Sequence, residues 1–85
     1  MKNLEFDQHA FKDLAWWVEN DRRTALRIMK LIEDIQHDPF QGIGKPEPLK
    51  HELKGCWSRR IDGEHRIVYQ VLEEKIRILA CRYHY

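Results

Sequence analysis

The hydrophobic pattern changes period twice along the chain. Residues 2–6, Lys-Asn-Leu-Glu-Phe, alternate polar and apolar as a half-buried strand does. Asp7 is then placed to cap a helix over residues 8–20, with Phe11, Leu14, Ala15 and Val18 at helical spacing as its inward stripe. Trp16 and Trp17 are adjacent, so they point in different directions: one is expected in the core and the other at a partner surface. Asn20-Asp21 interrupts the pattern. A second helix is predicted over 21–37, carried by Ala25, Ile28, Met29, Ile32 and Ile35 with Leu31 beside them. Arg22, Arg23, Arg27 and Lys30 lie off that stripe as a solvated face, and Asp38-Pro39 ends the helix.

Residues 39–55 form a connector punctuated by Pro39, Gly42, Gly44, Pro46, Pro48 and Gly55. A long irregular segment in a small domain is more often functional than idle. Pro46 and Pro48 flank Glu47 and stiffen the backbone that carries it. The period then returns to two. Strands are predicted at Cys56–Ile61 and His65–Leu72 around the turn Asp62-Gly63-Glu64, and at Ile76–Tyr83 after Glu73-Glu74-Lys75. The pattern predicts an α+β fold: an N-terminal strand and a helical hairpin packed on one face of a mainly antiparallel four-stranded sheet.

Length and composition narrow the class. At 85 residues the chain has room for one domain, spanning 1–85, and its 42% hydrophobic and 34% charged content describes a globular chain. No apolar run approaches the ~20 residues that span a bilayer. The N-terminus reaches an acid at Glu5, too early for a signal peptide, so a cytoplasmic protein is expected. Cys56 and Cys81 lack metal or redox spacing and fall in apolar strand patterns, which makes them buried reduced thiols. The five histidines are scattered with no H-x-x-x-H pair, and no metal site or cofactor is expected. The net charge is only +1, yet residues 44–66 hold Lys45, Lys50, Lys54, Arg59, Arg60 and Arg66, and the tail from Arg77 onward holds two arginines and no acid. The basic character is local.

Strand alternation sharpens this. Ile67, Tyr69 and Val71 form one face of their strand, expected toward the helices, and Arg66, Val68 and Gln70 the other. The register that puts Ile61 on the core face also puts Arg60 and Ser58 on the face of Arg66. Two arginines side by side across a sheet repel. A phosphate would satisfy both; a neighbouring acid, Glu47, Glu52 or Glu64, would neutralise them instead. Strict alternation places His84 with Ile76, Ile78 and Ala80, so either the last strand ends near Arg82 or a bulge re-aims the tail. A carboxylate, two or three cations and an imidazole are the parts needed to cleave RNA without a metal, with Glu47 as base, His84 as acid, and Arg66, Arg60 and Lys50 as a phosphate clamp. Arg59 and Lys45 complete the candidate phosphate-binding set.

These residues carry a resemblance. Gly44-Lys45-Pro46-Glu47-Pro48-Leu49-Lys50-His51, Trp57-Ser58-Arg59-Arg60-Ile61, Glu64-His65-Arg66 with Val68-Tyr69, and the closing Cys81-Arg82-Tyr83-His84-Tyr85 are similar to the YoeB toxins of the RelE superfamily, bacterial toxin–antitoxin endoribonucleases. The resemblance extends over the whole chain. It implies a microbial-RNase-like fold, cleavage of mRNA in the ribosomal A site, a YefM-type antitoxin whose disordered C-terminal segment wraps the toxin, and a homodimer. By position it implies Glu47 as general base, His84 as general acid, Arg66 as transition-state cation, Lys50 and Arg60 as phosphate binders, and Tyr85 as a residue that orients or stacks on RNA. His51 and His65 receive only structural roles. The competing reading is a non-catalytic binding module for RNA or a disordered partner peptide.

Overall fold

The computed structural model describes residues 1–83. Its elements are β1 (Asn3–Phe6), α1 (Gln8–Asn20), α2 (Arg22–His37), β2 (Glu47–Pro48), a single 3-10 turn at His51–Leu53, β3 (Cys56–Arg60), β4 (Arg66–Val71) and β5 (Lys75–Ala80). One sheet runs in the order β1-β5-β4-β3-β2; β1 lies parallel to β5 and every other pairing is antiparallel. The expected α+β architecture is present, with one correction: the sheet has five strands, not four. Glu47 and Pro48 pair with Ser58 and Trp57 as a two-residue edge strand. Pro48 has no N–H to give a ladder, which an edge tolerates.

A single residue joins the helices. The Asp21 N–H donates to the Trp17 carbonyl at 2.7 Å and closes α1, while its carboxylate accepts from the Thr24 N–H and hydroxyl at 3.2 and 2.8 Å and opens α2. Asp7 caps α1 in the same way, accepting from the His9 N–H.

The core joins Ile28, Leu31 and Ile35 of α2 to Ile67 and Tyr69 of β4 and Ile76 and Ile78 of β5. The α2 stripe is as expected except that Met29 is half exposed. The α1 stripe is rotated. Its buried residues are Ala10, Asp13 and Trp17, whereas Phe11 and Val18 face solvent. Asp13 is inside because its carboxylate accepts the Cys81 N–H at 3.0 Å, a bond no hydrophobic pattern announces. Trp17 enters the core with its indole N–H donating to the Cys81 carbonyl at 2.8 Å. Trp16, the tryptophan left outside the core, carries the Arg82 guanidinium 3.5 Å above its ring.

The last strand ends at Ala80 and not at Tyr83. Val68 pairs with Ala80 but Tyr69 pairs with Ile78, so Leu79 is the extra residue of a bulge. That shift turns Cys81, fully buried, toward α1 in place of Ala80. Burial pushes the Cys81 thiol up to about 12 and raises Cys56 as well; both thiols are free.

Candidate active site

Pleating sends alternate residues of β3 and β4 to opposite sides of the sheet. On the side away from the helices, Arg60 stands directly across from Arg66, and Ser58 across from Val68 on one flank and Glu47 on the other. Glu47, Ser58, Arg60 and Arg66 therefore share one face; the register argument required this of Ser58, Arg60 and Arg66, and the pairing of β2 adds Glu47. Arg66 Nη1 donates to Ser58 Oγ at 3.1 Å and lies 3.9 Å from Glu47 Oε2. Arg66 is mostly covered, with 19% of its side chain exposed, against 53% for Glu47. Glu47 is thus the acid beside the arginine pair, and at this distance and exposure it offsets their repulsion only in part. The arrangement is a half-open cluster with a net positive charge and a carboxylate at its rim. It can hold a phosphate between the guanidiniums while the carboxylate faces an adjacent hydroxyl.

The backbone that presents Glu47 is held from below. Gly44 has φ +80°, and its carbonyl accepts the Arg60 N–H at 2.7 Å. A Cβ there would lie 2.9 Å from Leu31 and 3.0 Å from the Arg60 carbonyl, so only glycine lets the loop sit this close. The Leu49 N–H donates to the Cys56 carbonyl at 2.9 Å on the far side of Glu47. Lys45 and Lys50 flank this strand and are exposed to solvent.

Arg59 requires a correction. Expected among the phosphate binders, it is fully buried on the helix-facing side. All five of its N–H groups meet the fold: Nε donates to Tyr69 Oη, Nη1 to Asp34 and the Ile43 carbonyl, Nη2 to the carbonyls of Asp38 and Gln41. Tyr69 Oη donates in turn to the Pro39 carbonyl at 2.6 Å. The guanidinium holds Asp34 below the usual carboxylate range, and burial raises Tyr69. Arg59 binds the 38–43 loop and has nothing left for a phosphate.

The sequence reading missed two further contacts at the site. Ser58 orients Arg66, and His65 holds the chain beyond β5: its Nδ1 accepts the Tyr83 N–H at 2.7 Å, while the Arg66 N–H donates to the Tyr83 carbonyl at 3.2 Å. His51, the other histidine given a structural role, is exposed. Among the described residues no three His, Cys, Asp or Glu side chains converge as ligands of a metal would. His84 and Tyr85 lie outside the described residues.

Comparison with known proteins gives one answer. Residues 6–85 match the family model of the YoeB-like toxin of bacterial type II toxin-antitoxin systems. The chain is 54% identical over 85 residues to the toxin YoeB of Mycobacterium bovis, covering all of both chains. Among solved structures it is similar to a YoeB/ParE toxin from Agrobacterium tumefaciens, with 41% identity, full coverage of both chains and a TM-score of 0.95. The YoeB of Staphylococcus aureus is similar both as a dimer (42% identity, 99% and 98% coverage, TM-score 0.91) and in a heterotetrameric complex with YefM (42%, 100% and 99%, TM-score 0.90). No helix is long and apolar enough to cross a membrane among the described residues. A family match across nearly the whole chain, a relative at this identity and a fold that superposes throughout place this protein among the YoeB toxins of bacterial type II toxin–antitoxin systems.

Proposed function

We propose that this toxin is a ribosome-dependent endoribonuclease that cuts mRNA in the A site by general acid–base chemistry, without a metal ion. One observation supports the reading above the others: an exposed carboxylate, Glu47, lies 3.9 Å from Arg66 on the face where Arg60 stands opposite Arg66. Glu47 takes the proton from the 2′-hydroxyl, and that oxygen attacks the adjacent phosphorus. Arg66 and Arg60 neutralise the charge that builds on the phosphorane oxygens. His84 gives a proton to the departing 5′-oxygen, leaving a 2′,3′-cyclic phosphate and a 5′-hydroxyl. Lys50 and Lys45 bind flanking phosphates, and Tyr85 orients the RNA. Bacterial ribosomes place the reaction in the cytoplasm. By similarity to the S. aureus structures, the partners are a YefM-type antitoxin and a second copy of the chain.

Primer extension on a defined mRNA programmed into bacterial ribosomes tests this. Discrete cuts at the A-site codon are expected from the purified protein, reduced by at least about 100-fold in Glu47→Gln and in His84→Gln. Unchanged cutting by either variant sinks the role given to that residue. No cutting by folded wild type sinks the nuclease and favours the binding module. Cuts on naked RNA alone keep the nuclease and remove the ribosome.

A further inference from the structure

His65 takes no part in the chemistry above, yet it stands next to Arg66 and makes one of the shorter contacts in this part of the fold. Tyr83 is a non-glycine residue in the left-handed region, with φ +64°. Such a residue persists only where its surroundings hold it. Here two consecutive residues hold both of its peptide groups: the His65 imidazole accepts the Tyr83 N–H, and the Arg66 N–H donates to the Tyr83 carbonyl. Acceptance at Nδ1 leaves the His65 proton on Nε2, the tautomer of a neutral ring. The ring is wedged in turn. It meets Trp17 edge-on, with centroids 4.8 Å apart and planes at 89°, and lies 5.1 Å from the Tyr83 ring. Trp17 also holds the Cys81 carbonyl, so α1, the start of β4 and the segment after β5 are locked together at this imidazole.

We propose that His65 is a positioning residue: its Nδ1 fixes the turn at Tyr83 and so holds the residue that precedes His84 in sequence in place relative to Arg66. The inference rests on the nuclease reading, in which His84 supplies the proton to the leaving group. Arg66 is then tied to the turn through the Tyr83 carbonyl and to the base through the Glu47 contact.

Two replacements separate the acceptor from the ring. Asn carries its side-chain oxygen where Nδ1 of a histidine lies; Phe keeps the ring against Trp17 and removes the acceptor. In single-turnover and steady-state cleavage on programmed ribosomes, His65→Phe is expected to lower kcat about tenfold with KM within about twofold of wild type. His65→Asn is expected to recover most of that loss. Wild-type kcat in both variants, or equal loss in both, overturns the acceptor role. Amide exchange in the unmodified protein is the second readout: the Tyr83 N–H is expected to be protected, and free exchange overturns the proposal even if His65→Phe fails to fold. A wild-type protein that cuts nothing overturns the nuclease reading and this role with it, a result distinct from variants that cut normally.

Discussion

Arg59 and Arg60 follow one another along β3, and the pleat sends them to opposite sides of the sheet. On the inner side every N–H of Arg59 is engaged by Asp34, Tyr69 and three loop carbonyls. On the outer side Arg60 stands exposed against another arginine. The same side chain is a structural bolt in one place and an unmet electrostatic demand in the other. A guanidinium is available to a ligand only to the extent that the fold has left its donors unspent, and the outer face keeps like charges together at a cost to the sheet. Burial of a charge is thus evidence about architecture here, and exposed repulsion is evidence about chemistry.

The contrast can be broken first on the inner face. Arg59→Met should destabilise the protein by about 3–5 kcal/mol, because it leaves Asp34 and several loop carbonyls without their partner. Urea unfolding measures this, and a loss below about 1 kcal/mol would mean that the network is not holding the loop. Acid comes next in size. The Asp34 carboxyl is depressed by Arg59 from the ordinary value of 3.8, so the stability it contributes is present above that value and is lost as pH falls through the lower folded-state pKa. Wild type should therefore lose stability below about pH 4 more steeply than Arg59→Met does, and parallel acid limbs would remove the pair from the account. The smallest effect on stability belongs to the outer face. Arg60→Gln should change the unfolding free energy by no more than about 0.5 kcal/mol, with relief of repulsion offsetting lost contacts, while cleavage falls at least about tenfold. A large loss of stability there would erase the distinction between the two faces.

Much of this contrast was readable in the alternation. The parity that placed Ile61 and Ile67 inside and Arg60 and Arg66 outside is the one observed, and the same parity puts Arg59 inside. Only its charge argued otherwise, because no local pattern shows that Asp34, twenty-five residues earlier, waits beneath it. Asp13 hid the inner face of α1 for the same reason: its partner is the Cys81 amide, across the whole chain. Two-residue β2 is too short to carry a period, and the bulge at Leu79 reversed the parity that would have been extended into the tail. Patterns report local repetition. Where a polar group is buried by a distant partner, or a ladder slips by one residue, the cause is tertiary and leaves no periodic trace.

The seam between β1 and β5 carries a different consequence. Asn3 through Phe6 pair with Lys75 through Ile78, the first strand of the chain beside the last, and Lys2 reaches over to the Leu72 carbonyl at 2.8 Å. Contacts this far apart in sequence form late, because the loop they close includes nearly everything else. During synthesis the first strand must wait, its edge open, until the fifth has been made and has left the exit tunnel. The sheet therefore cannot complete itself until both strands of this seam are outside the tunnel, whatever the rest of the chain has already formed.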